Sequence, residues 1–205
     1  MFDKDLAAKI CRLSEKCYSC MTYKTGNDGF LLETEDDSQF LLFPGSYELS
    51  DWIHDFEVVK VHRDDMGDIH LGFAKTWDLL KDEVVKRLDK TKKLYVGGHS
   101  LGGAVACVAA LSLYNKGFKI ESVHTYGQPR VGNYEWKKKF VKSKIQLYRF
   151  RNGDDIVSTI PKLFYWHVGE EVHINRRGFF SWLHDNFTDH LITNYIKFVE
   201  ALQKR

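Results

Sequence analysis

The chain has 205 residues, 43% of them hydrophobic and 28% charged, enough to bury a substantial core in one domain. Its 30 Lys and Arg against 28 Asp and Glu leave a net charge of +2, too small to point to nucleic acid. Only 3 prolines and no low-complexity run argue against long linkers or disorder. The charge is unevenly spread. Asp36, Asp37, Asp51, Asp55, Asp64 and Asp65 fall within residues 28–68, whereas Lys137, Lys138, Lys139, Lys142, Lys144, Arg149 and Arg151 cluster later. That basic cluster reads first as a solvated helix face, and second as a weak attraction to anionic lipid headgroups. Met1 to Leu6 carries no apolar stretch of leader length and no segment approaches a membrane span, so the expected location is cytoplasmic.

In chain order, Leu6, Ile10 and Leu13 have helical spacing within residues 3–20. The runs 30–32 and 40–43 read as two strands on either side of an acidic turn at Asp36-Asp37, and residues 57–61 as another strand. Phe73, Trp77, Leu80, Val84 and Leu88 share one face of an amphipathic helix. A strand at 93–97 then leads through a turn into a helix at 101–115, followed by a strand at 120–126. A basic helix near 134–142, a strand at 145–150, an extended stretch at 164–174 and a closing helix at 188–203 complete the chain. Strands alternating with crossover helices predict one α/β domain around a mostly parallel sheet covered on both faces. Of Cys11, Cys17, Cys20 and Cys107, the pair Cys17-x-x-Cys20 has no second Cys or His pair at zinc spacing, so buried or free thiols are expected and no metal or cofactor.

The most informative stretch is Gly98-His99-Ser100-Leu101-Gly102, set between that strand and the small-residue run Gly103-Ala104-Val105-Ala106. Strand, sharp turn and helix with a serine at the turn is the context a G-x-S-x-G nucleophile elbow requires. Glycine two residues either side of Ser100 removes a clash between the strand and the helix. A serine hydroxyl needs a histidine to take its proton and a carboxylate to orient that histidine. In this architecture the order is Ser, acid, His, which makes His54, His62, His70 and His99 poor bases and leaves His124, His167, His173, His184 and His190. His190 lies near the start of the last helix, with His184 as its main competitor. Either Asp154 or Asp155 fits the loop that follows the strand at 145–150. Oxyanion donors are expected from the amide of Leu101 and from the loop Pro44-Gly45-Ser46, where Ser46 offers an amide and a hydroxyl.

These residues resemble the class-three lipases, the fungal lipase-like α/β-hydrolases, over about residues 30–195. Gly45-Ser46 with Asp51-Trp52-Ile53-His54-Asp55 resembles the oxyanion-loop pattern, and His70-Leu71-Gly72-Phe73 a V-H-x-G-F segment. Gly98 to Gly103 is similar to the G-H-S-L-G-G elbow, and Thr125 to Asn133 to a T-[FY]-G-x-P-R-V-G-[ND] signature. Asn152 to Val157 resembles the acid loop, Tyr165 to Glu170 the H-x-G strand, and Asp189-His190 with Tyr195 the terminal histidine helix. The resemblance implies an α/β-hydrolase fold, Ser100 as nucleophile, Asp155 as acid, His190 as base, and Ser46 and Leu101 as oxyanion donors. It further implies a serine esterase or lipase that cleaves carboxylic esters through an acyl-enzyme. His70 and Arg130 match motif positions that look architectural.

Several positions depart from the pattern. Pro44 replaces the usual Arg before Gly45, and residues 157–161 replace a proline-rich stretch. The lid segment, 47–56, is short and bears Glu48, Asp51 and Asp55, which favours accessible or short-chain esters over a bulk lipid interface. Phe179, Phe180, Trp182 and Leu183 read either as core under the last helix or as an acyl-chain groove beside the base. Two rival readings are a membrane-acting phospholipase or monoacylglycerol lipase, and a non-catalytic lipase-like binding module.

Overall fold

A computed structural model describes residues 2–46, 59–175 and 188–204. The first helix, α1 (Lys4–Lys16), is capped by the Asp3 carboxylate, which accepts the N–H groups of Asp5 and Leu6 at 2.9 and 3.0 Å. Its helical repeat buries Ala7, Ile10, Cys11 and Ser14 on one side. Three strands come next: β1 (Tyr23–Thr25), β2 (Asp28–Glu35) and β3 (Ser38–Phe43). Residues 60–63 and 67–70 form β4 (Lys60–Arg63) and β5 (Gly67–His70), an antiparallel pair apart from the main sheet. The described part of the strand expected at 57–61 therefore belongs to a separate ribbon, since alternating apolar residues announce a strand without naming its partner.

From there strands and helices alternate: α2 (Leu71–Arg87), β6 (Lys93–His99), α3 (Leu101–Asn115), β7 (Ile120–Tyr126), α4 (Tyr134–Ser143) and β8 (Leu147–Asn152). A 3₁₀ turn at Val157–Thr159, β9 (Glu170–Ile174), a second 3₁₀ turn at Thr188–His190 and α5 (Ile192–Gln203) end the order. The extended stretch expected at 164–174 becomes a strand only from Glu170. Phe164 (φ 59) and Gly169 (φ 78) both turn the chain before it.

The main sheet runs β1-β2-β3-β6-β7-β8-β9, with β3 to β9 parallel and β1 and β2 antiparallel at one edge. This is the α/β-hydrolase arrangement. One apolar layer lies between the sheet and α2, α3 and α4, and the other between the sheet and α1 and α5. Every residue of α3 from Gly102 to Leu113 is buried, and Ala104, Ala106, Ala109 and Ala110 let it sit close to the sheet. Strand register brings the site loops together. Phe43 pairs with Gly98, His99 with Tyr126 and Tyr126 with Phe150, so the loops after β3, β6, β7 and β8 leave from one carboxyl edge. The lid segment 47–56, the aromatic stretch 177–183 and His184 lie outside the described residues.

Candidate active site

Ser100 is held at φ 56 and ψ −127, a backbone conformation that costs a non-glycine residue about 1–3 kcal/mol. Its own amide donates to the carbonyl of Tyr126 at 2.8 Å, which ties the elbow to the end of β7. A β-carbon on Gly98 would stand 2.5 Å from the carbonyl of Gly102, and one on Gly102 would stand 2.5 Å from the Pro44 oxygen. Only bare backbone allows β6, α3 and the β3 loop to meet there. Ser100 thus opens α3, where the first amides have no intrahelical acceptor and the helix dipole favours negative charge.

After β8 the chain turns back on itself, with the Asp155 amide donating to the Asn152 carbonyl at 3.0 Å. Asp155 is fully buried. Its Oδ1 accepts the Val157 N–H at 2.9 Å. Its Oδ2 accepts from His190 Nδ1 at 2.8 Å, from the Tyr195 hydroxyl at 2.5 Å and from the Ser158 hydroxyl at 3.2 Å. Burial alone would raise the pKa of Asp155. The charge of His190 and the hydrogen bonds from His190 and Tyr195 outweigh it and hold the carboxyl below its usual range. Tyr195, pushed well above its usual pKa first by burial and then by Asp155, is a hydrogen-bond donor rather than a phenolate. The Asp154 carboxylate has no hydrogen bond to His190, and its amide donates to the Asp189 carboxylate at 3.0 Å. Of the two aspartates that the spacing left open, the one that meets His190 is Asp155.

His190 ends the 3₁₀ turn and is itself buried. With Nδ1 donating to a carboxylate, neutral His190 carries its free lone pair on Nε2. That Nε2 and the Ser100 Oγ are both buried without a hydrogen-bond partner among the described residues. Buried polar atoms are normally paired, so two such atoms left open mark this place as a candidate reaction site. The other described histidines from the sequence shortlist are engaged elsewhere. His124 meets the Ser122 hydroxyl at 3.0 Å, His167 the Ser158 carbonyl at 2.7 Å, and His173 the Gly153 carbonyl at 2.8 Å.

Ser46 and Leu101 line one cavity of about 360 Å³, together with Pro44, Gly45, Thr76 and Lys24. His70 and Arg130, the two positions read as architectural, make local contacts. His70 Nδ1 accepts the Gly72 N–H at 3.1 Å at the start of α2, and Arg130 donates to the Lys162 carbonyl at 2.9 Å. All four cysteines are free thiols. Among the described residues no group of three or more His, Cys, Asp or Glu is arranged to hold a metal ion, and no helix is long and apolar enough to cross a membrane.

Two contributors escaped the sequence reading. Tyr195 was only a landmark there, yet its hydroxyl is the shortest bond to Asp155. Gly127 (φ 63) leaves the space that the Asp155–His190 pair fills. A β-carbon on it would lie 2.7 Å from His190 Cε1 and 2.8 Å from Asp155 Oδ2. Its place just after β7 in the T-Y-G-x-P run was the available signal.

The fold and this elbow define an α/β-hydrolase. Residues 40–165 match the class 3 lipase family. Secreted mono- and diacylglycerol lipase A of Penicillium cyclopium is 33% identical over 161 residues, covering 73% of this chain and 52% of that protein. The lipase of Rhizomucor miehei is 32% identical over 176 residues, covering 78% of this chain and 47% of that protein. The solved structure of the Rhizomucor miehei triacylglyceride lipase superposes with a TM-score of 0.70 at 26% identity, covering 83% of this chain and 77% of that one. The chain belongs to the class 3 lipase family, and it spans about half the length of the curated relatives it matches. The expected cytoplasmic location is overturned by the first of these relatives, which is named a secreted lipase. Export is directed by a leader that is cleaved from the mature protein, so the residues that build the fold do not report it.

Proposed function

We propose that this chain is a carboxylic ester hydrolase of the serine type, one lipase-like domain acting on acylglycerol-type or short-chain esters through an acyl-enzyme. The observation that carries the reading is the buried Asp155–His190 pair beside an elbow, with His190 Nε2 and Ser100 Oγ both buried and both without a hydrogen-bond partner among the described residues. In this reading Ser100 Oγ attacks the ester carbonyl carbon and His190 Nε2 takes the hydroxyl proton. Asp155 keeps the imidazole oriented and stabilises its charge. The amides of Ser46 and Leu101 receive the negative charge that develops on the carbonyl oxygen. Collapse of the tetrahedral intermediate expels the alcohol, which takes the proton from His190. Water, deprotonated by His190, then releases the acid and restores Ser100. The names of the Penicillium and Rhizomucor relatives support acylglycerol substrates, and that of the former supports an extracellular site of action.

Ser100→Ala tests the reading: it should abolish both nitrophenyl ester hydrolysis and labelling by a fluorophosphonate, and retention of either overturns it. A second reading, the same hydrolase working at an anionic lipid surface, is favoured by Leu163 and Phe164, which are 72% and 69% exposed, with the Lys60 ammonium 5.5 Å from the Phe164 ring. Anionic vesicles added to a chain-length series of esters distinguish the two, because only the second predicts faster long-chain hydrolysis on vesicles.

A further inference from the structure

We propose that Tyr18 and His99 form a positioning pair that sets the His190 imidazole by gripping the main-chain carbonyl of the same residue. The proposal rests on the reading of Ser100, Asp155 and His190 as nucleophile, acid and base. His99 closes β6 immediately before the nucleophile, and its ring is buried with its centroid 4.7 Å from that of His190. His99 Nε2 lies 2.7 Å from the His190 carbonyl oxygen. A carbonyl can only accept, so Nε2 carries the proton and Nδ1 is left as an acceptor. The Tyr18 hydroxyl fills that role at 2.7 Å. Burial and, after it, the nearby charge of His190 lower the His99 pKa to about 3, so this tautomer persists across the neutral range.

The result is a directed chain, from the Tyr18 hydroxyl through the His99 ring to the His190 carbonyl, in which each bond polarises the next. The Tyr18 hydroxyl also abuts Gly45, because a β-carbon on Gly45 would strike it and would stand 3.0 Å from the Ser100 Cβ. One phenol therefore lies between the loop leading to Ser46 and the support of the base. Tyr18 is anchored for this task, since its amide donates to Glu15 at 3.0 Å in the turn that ends α1, and the neighbouring Cys17 thiol donates to the Leu42 carbonyl at 3.3 Å. Neither Tyr18 nor His190 falls within the residues 40–165 that match the family. Without His99 the buried carbonyl of His190 loses its partner, and the 3₁₀ turn must shift to recover one, carrying the imidazole with it.

The test uses the whole chain and a soluble nitrophenyl ester. His99→Leu should lower kcat about 10- to 100-fold with KM changed by less than about twofold, because misplacement of the base affects the transition state and not substrate binding. His99→Gln keeps a donor for the carbonyl and an acceptor for the phenol, and should recover most of the loss. Tyr18→Phe should cost about fivefold in kcat, and should cost nothing further in the His99→Leu background. Additive losses, or His99→Gln no better than His99→Leu, would mean that His99 only fills space and would overturn the proposal. If His99→Leu fails to fold, wild-type kcat in Tyr18→Phe overturns it. Fluorophosphonate labelling keeps the two ideas apart. An unlabelled wild type sinks the serine hydrolase reading, whereas a labelled wild type with unchanged kcat in these variants sinks the positioning pair alone.

Discussion

Gly127→Ala probes how the acid–base pair is seated, and a second glycine supplies its control. At Gly127 the backbone has φ 63, and the added methyl would stand 2.7 Å from His190 Cε1 and 2.8 Å from both His190 Nδ1 and Asp155 Oδ2. Ordinary carbon contacts begin near 3.4 Å, so the pair must retreat by more than half an ångström. Gly127 has little room to yield instead, because its amide donates to the Phe150 carbonyl at 3.1 Å and the preceding Tyr126 carbonyl holds the amide of Ser100. Gly117 has φ 82 but nothing within 4 Å of its added β-carbon. Both substitutions should therefore lose about 1–2 kcal/mol of stability from the left-handed backbone. Only Gly127→Ala should also lose catalysis, by about 100-fold in kcat, or about 2.7 kcal/mol of transition-state stabilisation. Steady-state kinetics on a soluble ester, with urea unfolding of the same samples, separates the two effects. Equal kcat in the two variants would refute the claim that Gly127 makes room for Asp155 and His190.

Asp155→Asn should lower kcat by about four orders of magnitude, because the amide stabilises the wrong histidine tautomer, while Asp154→Asn stays within a few fold of wild type. Comparable losses in the two variants would return the acid to the ambiguity of the bare sequence. Acid should also unfold the protein before its carboxylates titrate. His99, His124 and His167 are buried, and desolvation lowers their pKa values to about 3, about 4 and about 3 from 6.5. Below pH 6.5 the unfolded chain binds protons that the native state refuses, so stability falls as pH falls, by about 1 kcal/mol per histidine per pH unit. The depressed pKa of Asp155 acts in the same direction only at lower pH, below its ordinary 3.8. A urea midpoint that is flat from pH 7 to pH 5 would contradict this account.

What was legible in the sequence was contiguous. The elbow, the stripe of Phe73, Trp77, Leu80 and Val84, and the alternation of strands with helices each lie within one short window, where local pattern and native contact coincide. The acid stood open between two neighbours, because spacing places both aspartates in one turn and only the bend at Asn152 and the 3₁₀ turn at Val157–Thr159 decides which meets His190. The parallel core of the sheet was foreseen, but not the short edge strand β1 or the detached β4–β5 ribbon, whose pairing depends on partners that a local window does not contain. Gly127, Tyr195 and the Tyr18–His99 contact were invisible as functional residues for the same reason. Tyr18 and His99 are 81 positions apart, and Tyr195 and Asp155 are 40 apart.

These distant contacts explain how so strained a residue as Ser100, the proposed nucleophile, persists. A positive φ at Ser100 survives only where the surroundings over-determine it. Here β7 fixes the amide of Ser100 through the Tyr126 carbonyl, and the loop after β3 closes on Gly102 from the other side. The proposed base, His190, is tied down as redundantly. The Asn152 carboxamide donates to the Asp189 carbonyl at 2.8 Å, the Asp189 carboxylate accepts from Asp154, and His99 holds the carbonyl of His190. Each tie ends on main chain, not on the proposed reacting atoms, so the frame can set the positions of Ser100 and His190 while leaving Oγ and Nε2 unpartnered among the described residues. An acyl transfer site needs that combination, because a reacting atom already bonded to the frame would have to break that bond before meeting substrate.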